Sequence, residues 1–290
     1  MVERWKRLVD VADRWSARWR STRVARRAIA GFAEHRGADV ASSMAYFAIL
    51  SLFQVVVLGV IVFSFLVGEG EARRIVLGRI EAALPLEPGT MDAIVQSIIA
   101  SRGGVTVVSV AILAWGALGF FGALARGVGR AFAASTARPF WQDKLISLLL
   151  LAAAGLLALI SVCAGLVAGI AGRLANRIPG GGTGQQLALT VGGLVIPVLL
   201  VLVALLVVYR VVPNRRVTFR QVLPGAVVAT IVFTILRATF TWFATDVARY
   251  ESFFGPISAV ITLLVFLYFA SVVVLLGAEI ARANVLEDDD

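Results

Sequence analysis

One arginine inside a long apolar run is the residue of this sequence with the clearest chemical potential. Arg237 stands between Thr234 and Thr239, in a run from 222 to 245 that holds no other charged residue. Inserting an arginine at the centre of a membrane helix costs at least about 2.5–3.5 kcal/mol, so the guanidinium should face protein or water. The position of Arg237 therefore predicts a site for an anionic lipid head group or a substrate carboxylate. The alternatives are a structural ion pair or a side chain extended towards Asp246.

A second set of polar side chains follows one face of the first apolar run. At about 100° per residue, they fall within an arc of about 140°. The set comprises Ser43, Tyr46, Ser51 and Gln54. This stripe predicts one wall of a substrate cavity. The alternative is hydrogen bonding between helices, where each bond contributes about 0.6 kcal/mol on average.

Two further charges stand at the ends of apolar runs. Glu279 lies beside Gly277 near the end of the last run, and Arg210 lies at the corresponding end of the fourth. Charged side chains at such positions usually pair with one another. The sequence therefore predicts a structural ion pair between Arg210 and Glu279.

The groups that most enzymes need are absent from the sequence. His35 is the only histidine and Cys163 the only cysteine, and the motifs HExxH, CxxC, GxSxG and the P-loop do not occur. A zinc site would lack ligands, and a Ser-His-Asp triad would have to use a histidine in a basic segment. We therefore predict no catalytic residue, no metal site, no cofactor and no enzymatic activity.

The elements that must position these residues are long apolar helices. Hydrophobic residues make up 59% of the chain and charged residues 16%, and the mean hydropathy is +0.90. Soluble domains are about 45–50% apolar and about 25% charged, so an ordinary soluble enzyme is excluded. A helix of about 20 apolar residues crosses the membrane. The sequence predicts an all-α polytopic membrane protein with six transmembrane helices, at 41–67, 104–124, 145–171, 187–209, 222–245 and 256–280.

The distribution of cations predicts the orientation. The net charge is +9. Of the 27 Lys and Arg residues, 19 fall in the N-terminal segment, the second and fourth loops and the C-terminal end, and 7 fall on the opposite side. The positive-inside rule then places both termini in the cytoplasm. Because topology explains the basic segments, they do not indicate nucleic-acid binding.

Three segments flank or interrupt the predicted transmembrane domain, 37–284. Residues 1–36 carry an apolar stripe with helical spacing, which predicts an amphipathic helix at an anionic leaflet or, alternatively, a helix packed under the bundle. The outer loop, 68–103, has two short amphipathic pieces and predicts helices that pack on the bundle or the leaflet. The acidic tail, 285–290, is expected to be solvated.

Four short motifs are distributed over the chain. They are ASSMAYFAILSLF at 41–53, ARPFW at 137–141, YRVVP at 209–213 followed by Arg220 and PGA at 224–226, and FGP at 254–256 running to LLGAEI at 275–280. These motifs resemble those of the YihY / virulence factor BrkB family of bacterial inner-membrane proteins, and in order and spacing the resemblance covers about residues 25–285. Two departures are Gln54, where the family usually has Pro, and Phe254, where Tyr is common.

The resemblance implies six spans, cytoplasmic termini and a bacterial plasma membrane. Members of the family have been linked to serum resistance and to envelope lipid export, and many carry an old ribonuclease BN label. This sequence argues against that label because it holds no cluster of metal ligands.

Three functions remain open at this point. The first is a transporter, a flippase-like protein or an export partner for lipid or another amphiphile. The second is a small-solute or ion pathway that uses the same polar groups. The third is a non-catalytic scaffold for envelope assembly, with the outer loop as the docking surface. The expected partners are membrane lipids and envelope proteins, with no nucleic acid; the sequence does not indicate an oligomeric state.

Overall fold

The described part of the chain is helical. A computed structural model describes residues 20–67, 70, 105–132, 141–142, 144–157, 182–213, 217–243 and 256–289. Within these ranges the secondary structure comprises seven helices and no strand. They are α1 (Arg20–Glu34), α2 (Gly37–Val67), α3 (Val105–Ala131), α4 (Lys144–Leu157), α5 (Gly182–Val211), α6 (Phe219–Trp242) and α7 (Pro256–Asp289).

Each of the six predicted spans overlaps one of the helices from α2 to α7. Among the residues described, α6 and the stretch Val260–Glu287 of α7 are long and apolar enough to cross a membrane, while α2, α4 and α5 contribute shorter apolar segments. The all-helical class is confirmed, and the number of spans stays a prediction. The predicted stripe at the N-terminus and most of the predicted outer loop lie outside the described residues.

Helix α7 is the central element of the bundle. It packs most extensively against α6, then against α2 and α1, whereas α3 packs mainly on α2 and α5 mainly on α6. The buried face of α7 alternates large side chains such as Phe266 with small ones such as Ala278 and Ala281. Small residues let helix backbones approach closely in membrane proteins, which explains how one helix accommodates several neighbours.

Helices α5, α6 and α7 meet at a junction built on two glycines. A Cβ placed on Gly225 of α6 would overlap the backbone carbonyl oxygen of Gly277 of α7, so neither position has room for a side chain. The fully buried Tyr209 of α5 donates its hydroxyl to the carbonyl oxygen of Val274 at 2.6 Å. This bond uses a side chain that would otherwise be costly to bury. The junction therefore sets the crossing of α6 and α7.

The corner between α1 and α2 depends on a left-handed residue. Arg36 has a φ of 54° and ends α1, and its guanidinium contacts Asp39 in the first turn of α2 at 2.7 Å. A Cβ on Gly37 would overlap the ring of Phe32, so a glycine lets the chain turn tightly against that ring. The corner folds α1 back onto the bundle.

Helix α1 packs against the C-terminal part of α7. Arg23 and Arg27 contact the carboxylate of Glu287 at 2.5 and 2.9 Å, and only 10% of the Glu287 side chain is exposed. These pairs hold α1 against the bundle, while the two alternatives for the apolar stripe of 1–36 stay predictions because the stripe precedes the described residues. The expectation of a solvated acidic tail is wrong for Glu287, because α7 continues to Asp289 and pairs there with two arginines of α1.

Candidate functional site

Two cavities lie near opposite ends of the antiparallel pair of α6 and α7. The charged cavity lies between α1 and α7 and has a volume of about 290 Å³. The apolar pocket lies between the C-terminal end of α6 and the beginning of α7 and has a volume of about 350 Å³. On α7, Val265 lines the apolar pocket and Glu279 lines the charged cavity, and the fourteen positions that separate them correspond to about 21 Å of helix.

The charged cavity is lined by four ionisable side chains with small or apolar residues between them. Arg27 and Glu34 come from α1, and Glu279 and Arg282 come from α7. Within α7, Arg282 lies one turn after Glu279, which is the spacing at which two helical side chains are neighbours. The cavity therefore combines two cations and two carboxylates.

Glu279 is the most buried of these four groups. Only 3% of its side chain is exposed, and its Oε1 lies 2.7 Å from Nδ1 of His35. Its Oε2 lies 3.5 Å from a terminal nitrogen of Arg282 and makes no hydrogen bond. A Cβ on Gly31 would lie 2.5 Å from Oε2, so the missing side chain there is what makes room for the carboxylate.

The predicted pair between Arg210 and Glu279 is wrong, because Glu279 contacts His35 and Arg282 instead. The guanidinium of Arg210 lies 3.9 Å from the centre of the Phe219 ring, a cation–π contact. The direction of the Tyr209 side chain explains why Arg210 does not reach Glu279. Tyr209 points into the bundle and bonds to α7, and successive side chains on a helix diverge by about 100°, so Arg210 points outwards.

The apolar pocket is walled mostly by aromatic and branched side chains. Phe240, Trp242 and Phe243 come from the end of α6, and Ile261 and Val265 come from α7, with a threonine on each side. Phe240 also packs edge-on against Phe266 at 5.6 Å between ring centres, which fixes the floor of the pocket. Trp242 and Phe243 are exposed, so the mouth of the pocket faces outwards from the bundle.

Arg237 lies one turn before Phe240 on α6. It is partly buried, and within the described side chains no hydrogen bond, ion pair or ring contact to its guanidinium occurs. It precedes Trp242, the last residue of α6, by five positions, or about 8 Å along the helix. Asp246, its alternative partner, lies outside the described residues.

The polar stripe of α2 lies apart from Arg237. Ser43 is partly buried, Tyr46 is 53% exposed, and the side chain of Gln54 lies outside those described. Ser51 donates its hydroxyl to the carbonyl of Ala48 at 3.1 Å and packs where α2 meets Gly116 of α3.

Helix packing explains this separation. The main partners of α2 are α3 and α7, whereas those of α6 are α7 and α5. The stripe of α2 and Arg237 of α6 therefore lie on helices with different main packing partners. For Ser51 the structure favours the alternative role in helix packing.

Sequence reasoning missed His35, Arg282 and Gly31 as parts of the charged cavity. The spacing of Glu279 and Arg282 was a local signal for an ion pair. His35 and Gly31 gave no such signal, because they are more than 240 residues from Glu279 in the chain. Among the described residues, no group of three or more His, Cys, Asp or Glu side chains is placed to hold a metal ion.

The motif positions quoted above converge in the structure. Tyr209, Gly225 and Gly277 form the junction of α5, α6 and α7, and Glu279 lies two residues beyond it at the charged cavity. The family model for virulence factor BrkB matches residues 28–288, which is nearly the whole chain. The chain belongs to the virulence factor BrkB family.

Curated relatives support a membrane protein of this family. The chain is 27% identical over 251 residues to YfkH of Bacillus subtilis, described as a ribonuclease-like protein, with 85% of this chain and 89% of YfkH covered. It is 41% identical over 85 residues to a UPF0761 membrane protein of Chlorobium luteolum, covering 29% of this chain and 20% of that protein. A UPF0761 membrane protein of Alteromonas mediterranea is 41% identical over 78 residues, covering 27% and 26%.

The matches to these BrkB-family relatives differ in extent. The match to YfkH is nearly full-length, whereas the UPF0761 matches span only about a fifth to a quarter of those proteins. No solved structure matches this BrkB-family chain. The comparisons therefore establish a membrane protein of this family.

Proposed function

We propose that this protein binds and moves lipid or another amphiphile in the bacterial inner membrane, as a transporter, a flippase-like protein or a partner in export. The observation that carries the proposal is the position of Arg237. This partly buried cation lies one helical turn from the apolar pocket, and no described side chain forms a hydrogen bond, ion pair or ring contact with its guanidinium. An amphiphile presents the complementary pair of groups, an anion and an apolar chain.

Physical reasoning favours a lipid over a small solute at this place. An arginine in an apolar segment is retained where it has a specific partner, because its insertion is costly. The pocket offers almost only apolar surface, which suits an acyl chain and gives a hydrated ion nothing to bind. The exposed Trp242 at the end of α6 is typical of the membrane–water boundary, where a lipid head group also lies.

The orientation proposed is multi-pass with both termini in the cytoplasm. It rests on the excess of cations in the loops assigned to that side. The packing of α1 on the end of α7 supports it, because the N-terminal helix and the last helix then lie at the same end of the bundle. A reporter that is active only in the cytoplasm should be active when it is fused after Asp290. Activity of a periplasmic reporter at the same place would contradict the proposed orientation.

We also propose that the protein has no catalytic activity of its own. The ribonuclease-like description belongs to YfkH. In this chain the support is the single histidine, which is engaged with Glu279, together with the scarcity of other acid–base groups. Purified protein should leave RNA intact. Cleavage that copurifies with the protein and disappears on His35→Ala would overturn this part of the proposal.

The test of lipid binding is native mass spectrometry of protein extracted with its membrane lipids. Wild type should retain an anionic lipid, Arg237→Ala should lose it, and Arg237→Lys should keep part of it because a cation remains. Arg210→Ala is the matched control. It also removes an arginine near the end of an apolar helix, but that arginine stacks on Phe219 and is remote from the apolar pocket.

Two outcomes would contradict the proposal. Wild type that retains no lipid, or retention that is equal in Arg237→Ala and Arg210→Ala, would make Arg237 a structural residue. Flux of a small solute through reconstituted protein that depends on Ser43, Tyr46 or Gln54 would then favour the solute pathway. A loss of partner proteins after deletion within 68–103 would favour the envelope scaffold.

A further inference from the structure

The charged cavity contains a buried acceptor with an unmet hydrogen bond. The Oε2 atom of Glu279 is buried and makes no hydrogen bond in the described part of the chain. Buried polar atoms in folded proteins nearly always have a partner, from the protein, from water or from a ligand. Because Glu279 lines the cavity, a group inside the cavity can supply the missing donor.

The charges around Oε2 define the ligand that fits. Arg282 lies 3.5 Å from Oε2, and 24% of its side chain is exposed. Arg27 pairs with Glu287, and Glu34 is the other ionisable group that helix α1 brings to the cavity. His35, which follows α1, lies against Oε1 of Glu279. Two cations and two carboxylates face the same space, so neither a simple anion nor a simple cation matches it. A molecule with both a donor-bearing cation and an anion does.

We propose that the charged cavity binds a zwitterionic aminophosphate, the chemistry of a phosphoethanolamine head group. Its primary ammonium donates a hydrogen bond to Oε2 of Glu279, and its phosphate lies against Arg282 and Arg27. Charge-assisted hydrogen bonds of both kinds are among the strongest that a binding site offers. The volume of about 290 Å³ is at the lower limit of ligand pockets, about 300 Å³, which suits a head group and leaves acyl chains outside.

This site goes beyond the lipid binding proposed for Arg237 and is independent of it. The two cavities are separated by about 21 Å along α7 and share no lining residue. The aminophosphate could be the head group of a phospholipid or a free soluble molecule. Both would present the same ammonium and phosphate, and the experiment below includes one probe for each.

The test measures binding of four probes to the full-length protein in detergent, by titration with mass-spectrometric or calorimetric readout. The probes are dioctanoyl phosphatidylethanolamine, its phosphatidylcholine and phosphatidylglycerol analogues, and free O-phosphoethanolamine. We expect the ethanolamine lipid to bind at least about tenfold more tightly than the other two lipids. The choline lipid is the sharpest comparison, since its quaternary ammonium has no N–H to donate to Oε2.

Variants assign any such preference to the cavity. Glu279→Gln should abolish the preference for ethanolamine over choline. Asp39→Asn is the matched control, because it makes the same chemical change near the same end of the bundle on an exposed carboxylate that pairs with Arg36. If Glu279→Gln fails to fold, Ala30→Leu fills the cavity from α1 without removing a charge. This variant should weaken binding of the ethanolamine lipid by about tenfold, the size of the expected preference.

The outcomes separate this proposal from the one for Arg237. Preference for ethanolamine that survives Arg237→Ala and is lost in Glu279→Gln supports the charged cavity, whichever result Arg237 gives for anionic lipid. Binding of free O-phosphoethanolamine as tight as the lipid supports the site and identifies a soluble ligand. Equal binding of all probes, or a preference for phosphatidylglycerol that ignores Glu279, would overturn the proposal.

Discussion

The two cavities that lie along α7 hold their polar groups in different ways. In the charged cavity, each carboxylate oxygen of Glu279 lies near a cationic or donor side chain, and one of these, His35, comes from the far end of the chain. At the apolar pocket, no described side chain forms a hydrogen bond, ion pair or ring contact with the guanidinium of the nearby Arg237, and aromatic and branched side chains make most of the wall. The first region is built by long-range pairing, and the second by packing of two consecutive helices.

This difference teaches where a substitution will be felt. Removing a member of a buried polar network leaves its partner unsatisfied, so it lowers the free energy of unfolding. Removing a side chain without a polar partner leaves no partner unsatisfied, so it should change what the site binds more than the free energy of unfolding. The two cavities should therefore respond in opposite ways to loss of their polar residues.

The largest expected effect on the free energy of unfolding comes from breaking the junction of α5, α6 and α7, which lies between the two cavities. Gly225→Ala places a methyl group against the backbone of Gly277, so the helices must separate. We expect a loss of about 2–3 kcal/mol in the free energy of unfolding, measured by thermal or denaturant unfolding in detergent. Gly129→Ala is the control, because a Cβ there meets nothing within 4 Å. Equal stability of the two variants would contradict the close approach of α6 and α7.

The next effect tests the comparison directly. His35→Ala removes the imidazole that lies 2.7 Å from Oε1 of Glu279 and leaves the buried carboxyl group without its closest partner. We expect it to lower the free energy of unfolding by about 1–3 kcal/mol. Arg237→Ala should change that free energy by no more than about 0.5 kcal/mol, the usual range for a side chain without specific contacts. Comparable losses in both variants would remove the distinction between the two cavities.

A smaller effect concerns the docking of α1. Glu287→Gln weakens the ion pairs to Arg23 and Arg27, whose side chains are 40% and 43% exposed, so solvent screens much of their attraction. We expect the substitution to weaken the docking of α1 by about 0.5–1 kcal/mol. Amide hydrogen exchange should become faster in α1 of the variant than in wild type, while exchange in α6 should not change. Raising the salt concentration should bring wild type towards the variant. Exchange in α1 that is indifferent to both changes would mean that apolar packing alone holds the helix.

The smallest effect is expected at the polar stripe of α2. Tyr46 is 53% exposed, and its described ring contact is an edge-on approach to Phe47 at 5.4 Å. Tyr46→Phe keeps that contact, so the free energy of unfolding should change by less than about 0.5 kcal/mol. Head-group preference and anionic lipid retention should both stay as in wild type. A large change in solute flux would instead favour the small-solute pathway and add a third functional region to the two compared above.

The sequence predicted the helical class and the position of each long helix well, and it predicted partners poorly. Apolar runs mark helices because each run reports on its own residues, so α6 and α7 fall close to the predicted runs 222–245 and 256–280. The predicted pair of Arg210 and Glu279 was wrong because the position of a residue along its helix does not specify the direction in which its side chain points. The solvated tail failed at Glu287 because its partners belong to a helix at the other end of the chain.

What the sequence determined by itself is therefore a membrane protein of long apolar helices, with an excess of positive charge on one set of loops and one arginine inside an apolar run. These features depend on composition and local order alone. The tertiary structure decided that α1 folds back on α7, that Glu279 pairs with His35, and that Arg237 lies apart from the stripe of α2. Those outcomes depend on how helix surfaces fit together. A glycine such as Gly31 or Gly277 allows a close approach, but the sequence does not say which neighbour approaches it.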